Sequence, residues 1–135
     1  MRRTLLALVA LPALLSPALA ADETLRLELN AAENAQNSCR LSFLVENKSA
    51  NALESMKVDL AVFNPQGVIT RRLIVELGPV RRAKTIVKTF ELEGDCNQIG
   101  AILVNDVTAC SPGDPASCLD QLALSSRPQS IRLYK

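Results

Sequence analysis

Four cysteines carry most of the chemical potential of this 135-residue chain: Cys39, Cys96, Cys110 and Cys118. None belongs to a C-x-x-C pair, the spacing that zinc ribbons and thioredoxin-like redox sites use. An even count in an exported chain reads instead as a disulfide framework, with three connectivities open. Cys110 and Cys118 flank SPGDPAS, a turn-rich stretch that can bend the chain back on itself. That pairs Cys110 with Cys118 and leaves Cys39 with Cys96. In the chain-entropy model the short loop contributes about 2.5 kcal/mol and the long one about 4 kcal/mol.

The chain has no histidine. That removes the usual general base near neutral pH, and with it Ser-His-Asp and Cys-His sites. It also disfavours zinc and copper catalysis, so the metal set is none. With the cysteines bridged, no thiolate nucleophile remains. A Ser-Lys dyad needs a buried lysine, and Lys48, Lys57, Lys84, Lys88 and Lys135 sit beside turns, on alternating strand faces or at the end. No catalytic residue and no cofactor are expected, and the protein reads as not an enzyme.

Two charged groups are left. Glu91, Glu93 and Asp95 are spaced by two, which on a regular strand puts them on one solvent face. A calcium site wants six to eight oxygens and a shaped loop, so a solvated face is the better reading. Asp114 reads as a turn residue. The best candidate contact site is basic: Arg71, Arg72, Arg81, Arg82, Lys84 and Lys88. If the strands after Gly67 and Ala83 are neighbours, these side chains form one rim for an anionic envelope lipid or polymer or an acidic partner. The competing reading is that they guard an edge strand and a hairpin against aggregation. Alternation also sends Arg71 and Arg72 to opposite faces.

The elements that must position these groups begin after a leader. Arg2 and Arg3, an apolar run from Leu5 to Leu15, and Ala18-Leu19-Ala20 have the form of a signal peptide over residues 1–20, cleaved after Ala20 or Ala21. The run is too short to span a bilayer, so no membrane span is expected in residues 21–135. Removing Arg2 and Arg3 from 15 basic and 14 acidic side chains leaves a net charge of −1. That gives no electrostatic case for nucleic acid, and aromatics on which bases could stack make up only 3% of the chain.

Period-2 alternation then recurs. Leu25, Leu27 and Leu29 share a face, and the strand is expected to end at Asn30, with residues 31–38 a loop. Leu41, Phe43 and Val45 share another face, as do Met56, Val58, Leu60 and Val62, and Leu73, Val75 and Leu77. The stretch NPQG at Asn64–Gly67 fits a type I turn, with Pro65 presetting φ and Asn64 bonding the backbone two residues on. Ile86, Phe90 and Leu92 mark a further strand. IGAILVNDV is apolar enough for a central strand covered on both faces. LDQLALSS is either a helical turn or a short extended piece, and QSIRLY is a final strand. About seven short strands without a reliable amphipathic helix predict an all-β, antiparallel, disulfide-stabilised sandwich in one domain over residues 21–135.

The segment from Leu44 to Leu92 resembles the small immunoglobulin-like, FxLyD-type domains of bacterial envelope proteins. Asn47, Asn64, Gly67, Leu77, Pro79 and Phe90 occupy matching places. The match spans about half of the mature chain; it lacks an aromatic after Phe63 and has Arg81-Arg82 where a small turn is usual. The chain is also similar to small exported proteins of proteobacteria. These resemblances imply an immunoglobulin-like fold and an envelope location, and bring no functional residues. Asn47-Lys48-Ser49 matches a glycosylation sequon and is read as a loop.

The expected function is that of a non-enzymatic interaction module or accessory factor of the bacterial cell envelope, periplasmic or secreted. It would present strand edges and loops, including the loop Cys110–Cys118, to another envelope protein. The alternative is a periplasmic binder of a small anionic ligand through the arginine-rich rim.

Overall fold

The computed structural model describes residues 12–17 and 23–135. The expected cleavage point and most of the expected leader lie outside the described residues. Residues 12–17 are exposed and without regular secondary structure.

Two four-stranded sheets pack face to face, as expected for an all-β sandwich. One runs β5-β2-β1-β7, from β1 (Leu25–Ala35), β2 (Ser38–Asn47), β5 (Lys84–Glu93) and β7 (Leu122–Ser126). The other runs β4-β3-β6-β8, from β3 (Ser55–Phe63), β4 (Ile69–Glu76), β6 (Ala101–Ser111) and β8 (Arg132–Tyr134). A seven-residue helix, α1 (Pro115–Gln121), leads into β7. Alternation is why these segments are strands. The predicted inward sets bury Leu27, Phe43, Val45, Met56 and Val58 almost completely. Phe43 meets Phe90 edge to face at 6.0 Å.

Four expectations change. First, β1 does not stop at Asn30. It bulges there and continues to Ala35, paired with β2 through a two-residue turn at Gln36-Asn37. Ladder hydrogen bonds come from the backbone, so a long partner strand overrides small polar side chains. Asn37 supplies the positive φ of 59° that this tight turn uses. Second, the sandwich is mixed: β1–β7 and β6–β8 are parallel. Third, β6 is buried on one face only, with Asn105 and Asp106 exposed. Two register shifts against β3 fall there. Fourth, LDQLALSS is both things at once, the end of α1 and then β7. Asp114 caps α1, its carboxylate accepting from Ser117 N–H at 3.0 Å, with Pro115 in the first turn.

The chain after β6 crosses to the first sheet as β7 and returns to the second as β8, burying Leu122 and Ile131 on the way. That closes one side of the sandwich. The other side leaves β4 and β5 as edges, eight and ten residues long.

A buried carboxylate ties β1 to the segment after β7. Glu28 is 4% exposed and accepts from Asn30, from Arg127 at 3.0 Å, and from Arg26. The Asn30 hydrogen bond contributes most to holding its carboxyl below the ordinary range; burial opposes this, and the two guanidiniums add to it. A depressed folded-state pKa stabilises the native protein above the ordinary carboxylate value and is lost as pH falls through the depressed one. The urea midpoint of the wild type is therefore expected to fall on acidification below pH about 4.5, with a flatter limb for Glu28→Gln. The gap between the two proteins should narrow as pH drops. Asp59 is held low by Arg72 first and Asn105 second, and titrates in both proteins, so the difference reports Glu28.

Candidate functional site

The hairpin joining β3 to β4 is built from Asn64. Its backbone carbonyl accepts from Gly67 N–H at 2.9 Å, and its side-chain oxygen accepts from Gln66 and Val68 N–H at 3.1 and 2.9 Å. Gly67 takes φ 79°, open only to glycine at low cost. The turn leans on the connection into β6: a Cβ on Gly100 would lie 2.8 Å from Pro65 Cα. Across from the turn, the chain leaves β5 through Gly94 and a 3₁₀ turn over Cys96–Gln98. Asp95 caps that turn, accepting from Asn97 N–H at 2.8 Å, and Asn34 accepts from Cys96 N–H at 2.8 Å.

The Cys39–Cys96 disulfide fixes this connection to the start of β2. It joins a strand to a neighbouring loop, the connection that runs from β5 in the first sheet to β6 in the second, and not strand to strand. Cys110–Cys118 ties the end of β6 to α1. Both pairs lie in a protein whose described residues hold no free cysteine, in keeping with an oxidising environment.

Between the β3–β4 turn and the braced connection lies a cleft of about 550 Å³. Its apolar floor is Val62, Leu92 and Ile99. Its lining also carries one cation, Arg71, two anions, Glu93 and Asp95, and the amides of Gln66, Asn97 and Gln98. Arg71 belongs to the inward-facing parity of Leu73 and Val75, which is why it turns toward the cleft and not toward the outer face. Among the described residues it has no ion pair.

The six basic residues come from both sheets and from the connection between them. Arg71 and Arg72 lie near the start of β4 in one sheet, and Lys84 and Lys88 on β5 in the other. Their strands are not hydrogen-bonded neighbours. Arg72 sits on the outer face, paired with Asp59. Arg81 and Arg82 follow the far end of β4, so four or more strand residues, roughly 13 Å, separate the two arginine pairs. Lys88 points inward from the β5 edge and donates to the Gly78 carbonyl at 3.4 Å. An inward-pointing charge on each open edge, Arg71 on β4 and Lys88 on β5, guards that edge against pairing with another strand.

The acidic trio is split: Glu93 and Asp95 line the cleft and Glu91 does not. Glu91 accepts from Arg40 at 3.1 Å, and Gly94, with φ 104°, breaks the alternation before Asp95. Among the described residues no three Cys, Asp or Glu side chains converge as metal ligands. No described helix is long and apolar enough to cross a membrane. Asn47 is not in a loop: it ends β2 and is fully buried.

The fold and cleft define a disulfide-braced β-sandwich with a mixed-charge recess at one end. No family model matches the chain, and neither a curated protein nor a solved structure matches it.

Proposed function

We propose that this is a non-enzymatic, exported interaction module of the cell envelope, periplasmic or secreted, and that it binds its partner with the β3–β4 end of the sandwich. The observation that carries this reading is where apolar surface is left open. Val68 and Ile69, directly after the Asn64–Gly67 turn, are 58% and 51% exposed. Among the other residues of 23–135, only Ile74, on the outer face toward the far end of β4, and Val87 on β5 expose a large hydrophobic side chain to this degree. Apolar side chains grouped beside a polar recess are what a partner surface needs, a dry centre with polar groups to set orientation. The edge strands support augmentation less well, because each carries an inward charge. The anion-binder alternative is supported less well, because the cleft that Arg71 lines also holds two carboxylates, Glu93 and Asp95.

The test is capture from envelope extract by the immobilised mature protein, quantified by mass spectrometry. Ile69→Asp is expected to abolish capture of a specific partner, and Val87→Asp on the opposite sheet to leave it unchanged. Equal capture by both variants removes this end of the sandwich from the interface.

A further inference from the structure

We infer that the cleft takes the end of a short peptide that carries an ammonium and a carboxylate close together. This rests on the binding end assigned above and adds a ligand chemistry to it. A polyanion is disfavoured, because Glu93 and Asp95 outnumber Arg71 on the lining. A simple cation is disfavoured, because Arg71 points into the same space and no metal-ligating group of three forms among the described residues. No aromatic ring lines the cleft for a base to stack on. What remains is a ligand with both signs of charge. Arg71 offers a forked donor set that matches a carboxylate. Glu93 and Asp95 face the ammonium. The amides of Gln66, Asn97 and Gln98 suit peptide N–H and C=O groups, and the floor of Val62, Leu92 and Ile99 suits an aliphatic stem. The volume, about 550 Å³, lies within the range of small-ligand clefts. The recess is also preorganised: the Asn64 hydrogen bonds hold one wall and the Cys39–Cys96 bridge holds the other, so little ordering is left to the moment of binding.

Two sources supply this chemistry in an envelope: the free C-terminus of a polypeptide ending in lysine, and the free diamino-acid end of a cell-wall stem peptide. Calorimetric titration of the mature protein with three probes separates them. The probes are the tripeptide Ala-Ala-Lys as free acid, its C-terminal amide, and a soluble muropeptide with an unamidated diaminopimelate. The free acid or the muropeptide is expected to bind, and whichever binds names the source. Amidation of the tripeptide, or Arg71→Ala against the binding probe, should weaken binding tenfold or more. Glu93→Gln with Asp95→Asn should do the same through the ammonium. Arg71 is exposed, so its variant is expected to keep the wild-type circular dichroism. Binding of neither probe, or binding indifferent to Arg71, overturns the ligand assignment. The interface reading is judged separately, by Ile69→Asp capture, which does not depend on Arg71.

Discussion

Alanine at both Cys39 and Cys96 is expected to lower the free energy of unfolding by about 4 kcal/mol, against a total of about 5–15 kcal/mol for a domain of this kind. The bridge spans 57 residues, so in the chain-entropy model its loss returns more freedom to the unfolded chain than loss of Cys110–Cys118, which spans 8 and is worth about 2.5 kcal/mol. Replacing both sulfurs avoids a lone thiol that could form wrong pairs. Urea unfolding of the two double variants beside the wild type checks the order, and a larger slope is expected once the unfolded chain is free to expand. The cleft should respond unequally too. Cys96 begins the 3₁₀ turn that forms one wall, whereas Cys110 and Cys118 line none of it. Loss of the long bridge should therefore weaken binding at the cleft in a fully folded sample, and loss of the short one should not. A smaller stability cost for the long bridge than for the short would contradict the loop-length account.

Much of the sandwich was legible because alternation reports burial directly. Leu27, Phe43, Val58 and Leu60 each fall on the predicted inner face. Strand partners were not legible, because a period of two says that a strand has an inner face and nothing about its neighbour. The parallel pairs β1–β7 and β6–β8 depend on a five-residue and a three-residue strand placed by long-range closure. Residues 31–35 were misread for a related reason: small polar side chains lower strand propensity, yet β2 supplies a full ladder. For α1 the signal was present, since Asp followed by Pro is a helix start as well as a turn. The cleft is the harder case. Arg71 shares the parity of Leu73, Val75 and Leu77, which is readable as an inward charge. Its approach to Glu93 and Asp95 needs the fold, because β4 and β5 belong to different sheets.

Asn47→Ala is expected to cost about 3 kcal/mol, far more than a sequon asparagine in a loop would. The residue is fully buried, and all of its amide is used. Its Nδ2 donates to the carbonyls of Asn51 at 2.9 Å, Val80 at 3.1 Å and Arg81 at 3.3 Å. Its Oδ1 accepts from Ser49 N–H at 3.0 Å and from Ser49 Oγ at 2.7 Å. One side chain thus joins the end of β2, the connection into β3 and the crossing from β4 to β5, beside the Leu53–Val80 bridge. Alanine leaves the buried Val80 carbonyl without this donor and leaves the Ser49 N–H without its acceptor. Asn47→Asp should be worse than alanine, because it keeps the acceptor for Ser49 but turns a charge toward three carbonyls. Ser49→Ala, which removes one partner near the surface, should cost about 1 kcal/mol. The order Asp, Ala, Ser49→Ala in urea midpoints checks the argument, and a loss below about 1 kcal/mol for Asn47→Ala would contradict it. The same geometry has a consequence for modification. The nitrogen a glycan would need is committed to backbone carbonyls in the folded protein, so Asn47 of native material should be unmodified even where the sequon is read.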